Sequence, residues 1–132
     1  MKQFFSIVVC FILCAMIIVS CKKDTTTPSS AHAISYKIVA ADFSPFTAIS
    51  YTNETDSLVR GPLSDSTSFF SADILIATVP YYAKVQASGF NNSGNDFNFT
   101  LQIFVDGAKV AEQPIAAPPH IAFDANTTYT IQ

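Results

Sequence analysis

Residues 97 to 110 read Phe97-Asn98-Phe99-Thr100-Leu101-Gln102-Ile103-Phe104-Val105-Asp106-Gly107-Ala108-Lys109-Val110. Phe97, Phe99, Leu101, Ile103 and Val105 alternate with Asn98, Thr100, Gln102 and Phe104, a period of two that puts one set on the core face of a strand. Asp106-Gly107 follows at once, and both residues tolerate the positive φ that a two-residue hairpin loop requires. With that loop, Val105 faces Ala108 and Ile103 faces Val110 on the core side, while Lys109 lies beside Phe104 outside. The stretch therefore predicts an antiparallel hairpin with one buried face.

The same period recurs upstream. Ile34, Tyr36, Ile38 and Ala40 alternate with Ser35, Lys37 and Val39, and Ile49 and Tyr51 alternate with Ser50 and Thr52. Further strands are expected at Leu58 to Arg60, Thr67 to Ala77, Tyr81 to Ser88 and Thr128 to Gln132, separated by turn residues at Asn53 to Asp56, Asn91 to Asp96 and Pro118-Pro119. Seven or eight short strands without a helical period describe an all-β chain, an antiparallel β-sandwich. A small closed barrel is the alternative.

The whole chain has 132 residues, enough for one domain, with 49% apolar and 13% charged residues. That charged fraction is about half the usual 25% of soluble domains. The apolar excess is concentrated at the start: after Met1-Lys2-Gln3, the run from Phe4 to Val19 carries no charge. A basic residue, an apolar stretch and small residues form the layout of a secretory signal. Its helix would cover about 24 Å, short of the roughly 30 Å hydrocarbon core.

The run ends in Ile18-Val19-Ser20-Cys21, followed by Lys22-Lys23-Asp24. This resembles a lipobox, the signal of bacterial lipoproteins. The resemblance implies acylation of the Cys21 thiol and cleavage after Ser20, because a thiolate is the strong side-chain nucleophile and a small residue must precede the cut. Several acyl chains, at about 0.8 kcal/mol per buried methylene, would hold the chain on a membrane without a spanning helix. Cys10 and Cys14 would leave with residues 1–20, so the mature domain would have no disulfide and no thiol for metal or catalysis. Residues 21–33, the lipidated Cys and a polar stretch ending at Ala33, cannot bury enough surface to order themselves and are expected to form a flexible tether. The sandwich domain is expected at residues 34–132.

Three segments, Tyr36-Lys37-Ile38-Val39-Ala40, Ala48-Ile49-Ser50-Tyr51-Thr52-Asn53-Glu54 and Ile103-Phe104-Val105-Asp106-Gly107-Ala108-Lys109-Val110, together resemble the MmpS family of small membrane-anchored accessory proteins. The resemblance implies an immunoglobulin-like sandwich and a role beside membrane exporters. The middle of the chain departs from the family, with Gly61-Pro62-Leu63-Ser64-Asp65 in place of its Leu-Pro-Trp segment.

Chemistry-bearing patterns are sparse. His120 follows Pro118-Pro119 without a nucleophile-elbow motif, and His32 belongs to the expected tether. Asn91-Asn92-Ser93-Gly94-Asn95-Asp96 clusters the oxygens Ca²⁺ prefers but holds one carboxylate, and is read as a connecting loop. No catalytic residue, metal ligand or cofactor is assigned, and no enzymatic activity is expected. From Ile34 on, Lys37, Arg60, Lys84 and Lys109 face nine acids, a net of −5, which is the wrong sign for nucleic acid. Aromatics are abundant; Phe43 and Phe46 in Asp42-Phe43-Ser44-Pro45-Phe46, with Tyr82 and Phe104, either fill sheet edges and sandwich ends or, Phe43 and Phe46 first, form an exposed contact patch toward a protein, glycan or lipid partner.

The expected function is a lipid-anchored envelope protein, on the outer membrane of a Gram-negative cell and facing the periplasm or the exterior. Its sandwich would act as a non-catalytic binding or accessory module, serving a membrane export complex. The alternative is a surface-exposed coat or adhesin-like lipoprotein.

Overall fold

A computed structural model describes residues 31–63 and 69–132. The lipobox residues, Cys21 and Ser20 among them, lie outside the described residues. Eight strands are present: β1 (His32–Ala40), β2 (Phe46–Thr52), β3 (Leu58–Arg60), β4 (Phe69–Ile76), β5 (Tyr81–Phe90), β6 (Phe97–Val105), β7 (Ala108–Ala117) and β8 (Ala122–Ile131). They form two four-stranded antiparallel sheets, ordered β4-β1-β6-β7 and β3-β2-β5-β8. The architecture is a β-sandwich rather than a single closed sheet. Only the β2–β3 and β6–β7 links stay within one sheet; every other connection crosses between the layers.

The period-two pattern becomes the core. Ile34, Tyr36 and Ile38 of β1 are fully buried, in one core cluster with Val85 and Ala87 of β5 and flanked by Leu101 and Ile103 of β6 in their own sheet. A fully buried Ile or Leu side chain contributes roughly 1.5–3 kcal/mol. No disulfide supports the described residues, so this apolar layer carries the fold.

The hairpin forms with Asp106 at φ 51° and Gly107 at φ 80°. Val105 pairs with Ala108 and Phe104 with Lys109, as expected, but Ile103 pairs with Ala111, not Val110. A bulge between Ile103 and Phe104 inserts the extra residue and restores the inward face of β7. Strand β1 starts at His32, inside the segment expected to be tether, because Asp106 captures it. The Asp106 carboxylate accepts from the Ala33 N–H at 2.9 Å and contacts His32 Nδ1 at 2.7 Å, while its own N–H donates to the Ala33 carbonyl at 2.7 Å.

The registers define two poles. One holds the start of β1, the 53–57 loop, the β4–β5 link, the Asp106-Gly107 turn and the end of β8. The opposite pole holds the β1–β2, β5–β6 and β7–β8 links. Nine-residue strands at about 3.3 Å per residue separate the poles by roughly 30 Å.

Candidate functional site

The second pole carries the concave site. A cleft of about 350 Å³ opens between the β1–β2 link and the β5–β6 link, lined by Asp42, Ser44, Pro45, Phe90, Asn92 and Phe97, with Asn91 and Ser93 in its wall. Its shape originates in two short side-chain-driven turns.

In the first link, the Asp42 carboxylate accepts from the Ser44 N–H at 2.9 Å and from the Ser44 hydroxyl at 2.5 Å. The Ser44 hydroxyl, with the Ser44 N–H second, holds the Asp42 carboxyl below the usual carboxylate range. It stays ionised and oriented. The Phe46 N–H donates to the Phe43 carbonyl at 3.1 Å, which folds Phe43 and Phe46 inward. Both rings are buried, at 9% and 5% exposure, so the contact patch expected of them is not a surface. The turn residues between them hide that both side chains point into the sandwich. Phe46 sits at the centre of an aromatic cluster, edge-on to Phe97, Phe99 and Phe123 at 5.4, 5.1 and 5.7 Å and tilted against Phe43 at 5.0 Å. Phe97 belongs both to this cluster and to the cleft floor.

In the second link Asn91 is buried at 1% exposure and fully engaged. Its Nδ2 hydrogens are shared among the carbonyls of Asn95, Ala117 and Pro118 at 2.9, 2.9 and 3.0 Å, and its Oδ1 accepts from the N–H and hydroxyl of Ser93. Its backbone N–H donates to Ile121 O and its carbonyl accepts from His120 N–H. One side chain thus fixes the β5–β6 and β7–β8 links together. Sequence reasoning missed this hub; its visible signal was Asn-x-Ser at a strand end, a local pattern that says nothing of the long-range partners. Asn92 is exposed at the rim, and Phe90, 40% exposed, forms the aromatic wall.

The other candidates disperse. His120 lies exposed on the 118–121 turn at φ 57°, outside the cleft lining. Asn91 Oδ1 is already occupied within the loop read as possible calcium ligands, and among the described residues no group of three metal-ligating side chains converges. Among the described residues no helix is long and apolar enough to cross a membrane. The cleft therefore offers one oriented carboxylate, the Asn92 amide and an aromatic face: groups that hold a polar ligand by hydrogen bonds and contact.

No protein-family model matches the sequence, and no curated protein matches it either.

Proposed function

We propose that this chain is a lipid-anchored envelope protein whose immunoglobulin-like sandwich is a non-catalytic binding module, an accessory to a membrane complex. The observation that carries the reading is the polarity of the domain. The chain enters at His32 on one pole, and the polar, aromatic-walled cleft opens on the other. A domain tethered through Cys21 would thus present its cleft away from the bilayer. The resemblance of Ile18-Val19-Ser20-Cys21 to a lipobox supports the anchor, and the MmpS-like segments support the accessory role.

The anchor is tested by feeding cells an alkyne fatty acid and measuring the intact mass of the purified chain. The expected product begins at Cys21 and carries acyl groups, and Cys21→Ala abolishes the label. A chain that retains residues 1–20 without acyl mass overturns the reading. Crosslinking on intact membranes tests the accessory role, for which a reproducible envelope partner is expected.

A further inference from the structure

We infer that the cleft of the second pole is a saccharide site, an inference that rests on the binding-module reading and names its ligand class. Three observations select this chemistry. First, the cleft pairs an exposed aromatic wall, Phe90, with side chains of mixed polarity: the Asp42 carboxylate as acceptor and the Asn92 amide as donor and acceptor, beside the Ser44 and Ser93 hydroxyls, whose hydrogens are already given to Asp42 and to Asn91 and Asn95. A pyranose presents the complement, an apolar C–H face and a ring of hydroxyls that both donate and accept.

Second, four main-chain N–H groups at the cleft are already engaged. Phe90 N–H donates to Pro45 O at 2.9 Å, Asn91 N–H to Ile121 O at 3.1 Å, and the N–H groups of Ser44 and Ser93 to Asp42 and Asn91 side chains. A peptide that bound by strand addition would need open backbone partners, and these are taken. Third, the charge is a single carboxylate already accepting two hydrogen bonds from Ser44. It can still accept from sugar hydroxyls through its remaining lone pairs, yet it is a poor match for a polycation. The geometry is fixed before binding, since the aromatic cluster supports Phe97 and the Asn91 network holds the loop, which lowers the ordering cost of a ligand.

The test is saturation-transfer NMR on the full mature chain in a detergent without a sugar headgroup, with cellotriose, maltotriose and N-acetylchitotriose as probes and trilysine as the cationic peptide control. At least one saccharide should receive saturation at millimolar concentration, strongest on its ring C–H protons. Phe90→Ala should weaken that binding about tenfold, the equivalent of 1.4 kcal/mol. Asp42→Asn and Asn92→Ala should each weaken it about threefold. Unchanged melting temperatures in Phe90→Ala and Asn92→Ala separate lost contact from lost fold. Absence of transfer to all three sugars, binding insensitive to all three variants, or preferential binding of trilysine overturns the proposal. None of these results touches acylation at Cys21 or partner crosslinking, so the binding-module reading stands or falls separately.

Discussion

Gly89 and Pro45 approach so closely that a Cβ on Gly89 would overlap the Pro45 carbonyl oxygen and come within 2.7 Å of the Phe123 ring. The approach lets Phe90 N–H reach Pro45 O and shapes the register irregularity between Phe46 and Ala48, which aims Phe46 into the core. Gly89→Ala is therefore expected to cost about 3 kcal/mol through forced backbone displacement. Gly107→Ala, at φ 80°, should cost about 1–2 kcal/mol. Gly94→Ala, with open space around it, should stay within about 0.5 kcal/mol. Chemical denaturation of the three variants checks the order.

The aromatic cluster yields a second expectation. Phe46→Ala removes a ring packed against four others and should cost about 3–5 kcal/mol. Phe90→Ala, on the exposed wall, should leave the denaturation midpoint near that of the parent chain. If Phe46→Ala proved neutral in stability, the ring would be a surface feature and the inward turn at residues 43–46 wrong.

These two cases also show what could be read from sequence. Alternation from Ile34 to Ala40 and from Phe97 to Val105 predicts both central strands of one sheet, because a half-buried strand has a strict period. The start of β8 was hidden, since its inward positions after Phe123 are Ala125 and Thr127, too small or polar to show a period. The bulges in β2 and β7 were equally hidden, because one inserted residue shifts the pattern without a distinctive side chain. The cleft was not legible. Asp42-x-Ser44 and Asn91-x-Ser93 each announce a turn, but only tertiary folding brings them to one pole.

Tyr36 and Tyr81 provide an alkaline prediction. Their hydroxyls lie 3.2 Å apart in the core, and Tyr81 donates to the carbonyls of Thr52 and Asn53 at 3.0 and 2.8 Å. Burial, followed by the Tyr81 hydroxyl, pushes the Tyr36 phenol up, and burial pushes up Tyr81. The folded state thus keeps protons that the unfolded chain releases near pH 10, so stability falls as pH rises above about 10. Ultraviolet titration should show these two phenols ionising only with unfolding. Tyr81→Phe, which strips a donor from two carbonyls, should cost about 2–3 kcal/mol, and Tyr36→Phe about 1 kcal/mol.

Asn91 gives a sign test. Asn91→Asp replaces the amide donor with an acceptor facing the Asn95, Ala117 and Pro118 carbonyls. It should be destabilised more than Asn91→Ala at neutral pH and recover in part as the new carboxyl protonates. Melting curves across pH 4 to 7 read the crossover.

At the opposite pole, the His32 ring, then the Ala33 N–H, hold the Asp106 carboxyl below the usual range. A depressed carboxyl contributes stability above its unfolded value near 3.9 that is lost as pH falls through the folded value. Carbon-detected NMR should place the Asp106 midpoint below that of an ordinary Asp, and His32→Ala should raise it without fully restoring the ordinary value, since Ala33 still donates.

The two-pole arrangement is tested most directly by energy transfer from single labels to acceptor lipids. The acylated chain, whose processed form would have no other free thiol, is reconstituted in vesicles with Glu54→Cys or Asn92→Cys labelled. The account predicts stronger transfer from residue 54, at the tethered pole, than from residue 92, at the cleft rim roughly 30 Å farther along the strands. Equal transfer, or stronger transfer from residue 92, would contradict a cleft held away from the membrane.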